Sequence, residues 1–113
     1  MSVINVYEQY FSAEGTFSGV ERKGALVMLV SDSDAGNIRY EVAVSFFPHR
    51  DETDFAVSYD AFFSKEIFSS KGRRSKKREK VFLETFREEI DSLSEENGAK
   101  VLWDHPLRDA RFG

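Results

Sequence analysis

The strictest pattern in the sequence is an alternation of apolar and more polar residues over positions 38–46. A period of two is typical of a strand with one buried face, which is the usual state of an antiparallel sheet. Pro48 ends this strand because proline cannot donate to the ladder. The alternation therefore favours a domain built around an antiparallel sheet. Its apolar members are Ile38, Tyr40, Val42, Val44 and Phe46.

Three further segments are predicted strands. Residues 25–30 are apolar on both faces, which suits a central strand, although a buried helix over residues 20–31 is a competing interpretation. Residues 32–37 have the composition of a turn. Residues 55–59 alternate as a return strand, and residues 65–69 are predicted as a third strand of the meander.

The first segment fits two structures. Its apolar residues have the spacing of an amphipathic helix, yet they are β-branched or aromatic, and such residues favour strands. We predict a helix that ends at Gly15, followed by a short strand over residues 16–22, and keep a strand as the alternative for the helix. The apolar residues concerned are Val3, Val6, Tyr7, Tyr10 and Phe11.

A long helix is predicted over residues 75–96. Ser75 suits the N-cap, and Gly98 is a typical stop signal. One side carries an apolar stripe that should pack on the sheet, while the other side is charged. Residues 100–103 are predicted as a short final strand or a docked extension. The stripe consists of Val81, Phe82, Phe86, Ile90 and Leu93.

Together these segments predict one α+β domain over residues 1–113. An antiparallel meander of four to five strands would carry the long C-terminal helix on one face, with an N-terminal helix or strand beside it. The chain has no cysteine, which excludes disulfides and thiolate metal sites. We find neither a secretory signal nor an apolar run of the roughly 18–20 residues that a membrane span needs. We therefore expect a soluble, cytoplasmic protein that binds no membrane.

Positive charge is concentrated in residues 71–80, which we call the basic segment. Seven basic side chains and one acidic side chain give it a net charge of +6. The whole chain carries −4, so the other residues sum to −10. The cations also lie where the predicted helix begins, and there they oppose its macrodipole. An anionic partner at this end would explain the arrangement.

The basic segment resembles part of a known family. Ser75-Lys76-Lys77-Arg78-Glu79-Lys80 is similar to the Ser-Lys-Lys-x-Ala-Lys signature that opens the second helix of double-stranded RNA-binding domains. Pro48-His49 resembles the loop between that family's first two strands, and residues 55–59 resemble the strand after it. The resemblance covers about residues 38–97. It implies a first helix at residues 20–31.

The resemblance also implies a mode of binding. The three lysines of the signature would contact phosphates across the major groove, and His49 would reach the minor groove and its 2′-hydroxyls. Recognition would depend on A-form shape and not on base sequence. The expected partner is double-stranded RNA or another polyanion. The candidate nucleic-acid-binding residues are Arg73, Arg74, Lys76, Lys77, Lys80 and His49.

No motif in the sequence indicates catalysis. His49 and His105 stand near carboxylates, but their spacing matches no metal or catalytic motif. We therefore expect a non-enzymatic binding module that needs no metal or other cofactor. The alternative is a protein–protein interaction or homodimeric domain, whose basic segment meets an acidic surface or only solvent. Four aromatic residues are candidates for its dimer seam or for a base-stacking platform, and burial between sheet and helices is the competing interpretation. They are Phe47, Phe62, Phe63 and Trp103.

Overall fold

The computed structural model describes residues 2–48 and 61–107 as a curled antiparallel sheet with two helices packed on one face. The predicted α+β class with an antiparallel sheet is confirmed, and strands form a larger part of the fold than expected. The strand order is β4-β3-β2-β1-β5. The elements are β1 (Ser2–Phe17), β2 (Val20–Asp34), β3 (Asn37–Phe47), β4 (Phe62–Lys71), α1 (Lys76–Glu84), α2 (Phe86–Glu96) and β5 (Lys100–Val101).

The alternating segment forms β3, and the segment that is apolar on both faces lies in β2. Both segments are strands, as predicted, but β3 is buried on both faces over residues 42–47 and not on one face only. The competing helix over residues 20–31, which the family resemblance also implies, is not formed, because these residues belong to β2. Central position explains the composition of β2: Val27 and Leu29 lie in one apolar cluster, while Leu26 and Met28 lie in another on the opposite face.

The helix predicted for the first segment is wrong, and the strand alternative is correct. β1 pairs with β2 along its length, with a register shift between Asn5 and Tyr7. Val6 and Tyr7 both pack into the cluster beneath the helices. A bulge thus places two successive side chains on one face, which reproduces the spacing of a helix. Val3, the first member of the apparent stripe, is 61% exposed.

The long helix predicted over residues 75–96 is also wrong in one respect, because it is interrupted at Thr85. The hydroxyl of Thr85 donates to the carbonyl oxygen of Phe82 over 3.4 Å, and such local bonds from β-branched threonine compete with helical backbone bonds. The bend lets Phe82 pack beside Tyr40 while Phe86 packs beside Tyr7. Both helices therefore follow the curl of the sheet.

The sheet has two buried faces. The inner face carries the helices, and its core includes Phe11, Tyr40 and Phe46 together with Phe86 and Ile90 from α2. Of the predicted stripe, Phe86, Ile90 and Leu93 are buried and Phe82 is half-buried, but Val81 is exposed. The smaller outer-face cluster consists of Leu26, Met28, Ala43 and Phe47.

The end of the described chain docks along β1. β5 pairs with Ala13 and Glu14, and the amide of Leu102 then donates to the carbonyl oxygen of Ser12. The predicted short strand and docked extension are therefore both present. The return strand predicted at residues 55–59 lies outside the described residues, and β3 pairs with β4. Within the described ranges, no helix is long and apolar enough to cross a membrane.

Candidate nucleic-acid interface

The basic segment begins at the end of β4, continues through a loop and enters α1. Ser75 is the N-cap, as predicted: its side-chain oxygen accepts a 3.2 Å hydrogen bond from the amide of Arg78. The amide of Gly72 donates to the carbonyl oxygen of Gly36 over 2.8 Å, which ties the loop to the β2–β3 turn. Gly72 has φ +126°, where a side chain would be strained. The loop is therefore held at both of its ends.

A buried carboxylate fixes the start of α1 on the inner face. Glu79 is fully buried, and its side chain accepts a 2.6 Å hydrogen bond from the hydroxyl of Tyr40. Nε and Nη2 of Arg74 each donate to Glu79 over 3.0 Å, one to each carboxylate oxygen. The Tyr40 hydroxyl in turn accepts from the amide of Ser75. A buried charge held by this many donors is compensated, and it orients the groups that bind it.

Tyr40 and Arg74 keep their protonation states near neutral pH. Burial raises the pKa of the Tyr40 hydroxyl above its usual value, and the hydrogen bond to Glu79 raises it further. The hydrogen bonds to Glu79 raise the pKa of Arg74. Tyr40 therefore stays a donor, and Arg74 stays a cation that is already paired within the protein.

The remaining cations of the basic segment divide into two groups. The guanidinium of Arg78 lies 4.3 Å from the ring centroid of Phe68, in a cation–π contact. The other five side chains are exposed and make no ion pair or ring contact with any described residue. Their charge is therefore available to an external anion. These five are Lys71, Arg73, Lys76, Lys77 and Lys80.

A cluster of acidic side chains lies on the outer face of the sheet, near the end where the basic segment lies. Arg39 pairs with Asp32 at 2.8 Å and with Glu41 at 3.2 Å, and its Nε lies 3.9 Å from Glu66. Alternation along β3 places Arg39 on the face opposite Tyr40. The sheet thus separates this acidic cluster from the basic segment.

The structure brings together five of the six predicted binding residues. Arg73, Lys76, Lys77 and Lys80 are exposed along one continuous stretch, and Arg74 lies among them but pairs with Glu79. His49 lies outside the described residues. The predicted aromatic group is split, because Phe47 belongs to the outer-face cluster and Trp103 packs on Phe11 of the inner face. Within residues 2–48 and 61–107, no cluster of three or more acidic or histidine side chains is placed to hold a metal ion.

Sequence reasoning missed the role of Glu79. A signal for it was present, because Glu79, Phe82 and Phe86 have the i, i+3, i+7 spacing of one helix face. An acidic residue on an apolar stripe must find donors when that stripe is buried. Tyr40 and Arg74 provide them, and neither is adjacent to Glu79 in sequence.

Comparisons with protein-family models, with curated proteins and with solved structures found no match to this chain. The chemistry of the basic segment is therefore the basis on which a function is inferred.

Proposed function

We propose that this protein is a non-enzymatic module that binds nucleic-acid phosphates through the basic segment. The single observation that carries the proposal is the set of five exposed cations without an acidic partner among the described residues. Acidic side chains are plentiful elsewhere, since the rest of the chain sums to −10. A surface that only needed solubility would not require this concentration of one sign.

Rigidity of the segment supports the same function. The Ser75 cap, the Gly72–Gly36 hydrogen bond and the buried Glu79 hold it against the sheet. A backbone that is already held in place loses less conformational entropy when its side chains bind a ligand. Cations on such a scaffold contact phosphates and release condensed counterions, which is the main source of affinity for nucleic acids.

Double-stranded RNA is the partner that the sequence resemblance favours. Lys76, Lys77 and Lys80 retain the order and spacing of the family signature, and all three are exposed on α1. The acidic remainder of the chain repels the rest of a duplex, so we expect weak binding, with a Kd on the order of micromolar or higher near physiological salt.

The test is a titration of labelled duplex RNA and duplex DNA of equal length at about 50 mM salt, where phosphate contacts are strong. We expect saturable binding, tighter for RNA, that is lost when Lys76, Lys77 and Lys80 are all changed to Glu. No binding of either duplex, or equal binding by the triple variant, would contradict the proposal. A dimer by light scattering together with no nucleic-acid binding would favour the alternative interaction or homodimeric domain.

A further inference from the structure

A cleft lies between the β2–β3 turn and the loop of the basic segment. Its volume is about 350 Å³, at the small end of the roughly 300–1,000 Å³ typical of ligand sites. One wall is the turn over residues 33–37, and the other is the loop over residues 72–74. The hydrogen bond from Gly72 to Gly36 joins the two walls, so the cleft does not depend on a mobile closure.

Two arginines give the cleft its chemistry. Arg74 lines the cleft, and two of the five N–H donors of its guanidinium bind Glu79. Glu79 and Tyr40 fix the orientation of this guanidinium. Arg73 also lines the cleft, and it has no ion pair within the described part of the chain. Planar guanidinium groups match the oxygen atoms of phosphate better than any other side chain.

We propose that this cleft binds a single phosphate group, with Arg73 and Arg74 as its ligands. This inference rests on the proposed function and adds a specific phosphate-binding site to it, because the lysines of α1 contact phosphates only as exposed point charges. Ser33 and Asn37 supply further hydrogen-bonding groups on the opposite wall. Asp34 also lines the cleft.

The first experiment follows backbone and arginine side-chain NMR signals of the full chain while inorganic phosphate is added at constant ionic strength. We expect shifts confined to residues 33–37 and 72–74. Arg73→Gln should weaken phosphate binding about tenfold, as expected for the loss of a charge-assisted hydrogen bond. The matched control is Lys23→Gln, which removes an equal charge from an exposed position in β2.

The second experiment identifies the source of the phosphate. Duplex RNA with 5′-phosphates and duplex RNA with 5′-hydroxyls are titrated against the parent and Arg73→Gln. A terminal-phosphate site predicts that the parent prefers the 5′-phosphate and that the variant loses this preference. A backbone-phosphate site predicts equal binding of both duplexes by the parent and an equal loss in the variant.

Either pattern supports the cleft when inorganic phosphate also causes the localised shifts. The inference is overturned if phosphate causes no localised shifts, or if Arg73→Gln behaves as Lys23→Gln does in both experiments. Duplex binding that survives with those results would leave the proposed function standing and remove only the cleft. Loss of all duplex binding by the parent protein would instead remove the proposed function, while localised phosphate shifts would still establish the site.

Discussion

The hydroxyl of Tyr40 and the carboxylate of Glu79 lie 2.6 Å apart in a buried hydrogen bond that joins the central strand β3 to α1. Tyr40 is fully buried, as is Glu79, and the exposed Arg74 connects the pair to the surface. The same contact fixes the basic segment above the inner face. Stability of the fold and presentation of the cations therefore depend on one network.

Glu79→Ala should destabilise the protein. The change leaves the Tyr40 hydroxyl without its acceptor and Arg74 without its counter-ion, although Arg74 is partly hydrated. We expect a loss of about 2–3 kcal/mol in the free energy of unfolding, measured by urea denaturation. Glu84→Ala is the matched control, because Glu84 is exposed on the same helix, and it should change stability by less than about 0.5 kcal/mol. Equal losses for the two variants would contradict a structural role for Glu79.

Phe86→Ala tests the packing of α2. The ring is fully buried and lies edge-on to Tyr7, with ring centroids 5.6 Å apart. Truncation leaves a cavity in the centre of the inner core, so the loss should be about 3–5 kcal/mol by the same denaturation measurement. Val81→Ala, at a position that is 53% exposed, should have little effect. A loss below about 1 kcal/mol for Phe86→Ala would show that this face of α2 is not the buried one.

Part of the fold was predictable because its signals are local. The alternation that leads into Phe46 and the turn before Ile38 specify a hairpin without knowledge of distant residues. Ser75 and Gly98 mark where helical structure begins and ends, and both predictions are confirmed. Local signals failed where a single irregularity changes the period. The bulge at Val6 imitates a helix, and the bend at Thr85 divides one.

The candidate site was predictable only in part, for a related reason. Charge is visible in sequence, so Lys76, Lys77 and Lys80 could be named from the run alone. Ion pairing is not visible in the sequence. Arg74 forms an ion pair with Glu79, and Glu79 also accepts a hydrogen bond from Tyr40 in another element. The cleft beside Arg73 is equally hidden, since its walls are about 35 residues apart in the chain.

Asp104 should make the docking of residues 102–107, the C-terminal extension, on β1 sensitive to acid. Its carboxylate accepts hydrogen bonds from the hydroxyl and the amide of Ser12, at 2.8 and 3.1 Å, and these lower its pKa from the usual value. A carboxyl whose pKa is lower in the folded state stabilises it fully above the unfolded pKa, near 3.9. That contribution is lost as the pH falls through the folded pKa.

Trp103, the single tryptophan, reports on this docking because it packs against Phe11. We expect its fluorescence to change as the pH falls below the unfolded pKa, near 3.9, and the carboxylate becomes protonated. In the Asp104→Asn variant the side chain cannot titrate. The extension should therefore dock more weakly on β1 at neutral pH, and this part of the acid transition should be missing. Identical acid titrations of the parent and the variant would show that Asp104 does not hold the extension.

The last prediction separates the position of the charge from its amount. Lys77→Glu with Lys80→Glu, and Lys23→Glu with Lys100→Glu, each change two exposed lysines and lower the net charge from −4 to −8. The second pair lies towards the other end of the sheet, since Lys100 pairs with Glu14 and Gly15 pairs with Arg22. If the basic segment is the interface, only the first pair removes phosphate contacts. Each lost contact should reduce the slope of log affinity against log salt by about 0.9, so the first pair should flatten the slope by about 1–2. The second pair should lower affinity slightly through long-range repulsion and leave the slope nearly unchanged.

The measurement is duplex RNA binding by fluorescence anisotropy at several salt concentrations between about 30 and 150 mM, a range over which phosphate contacts are strongly salt-dependent. Equal effects of the two pairs would mean that net charge alone controls binding and that the basic segment is not a defined interface.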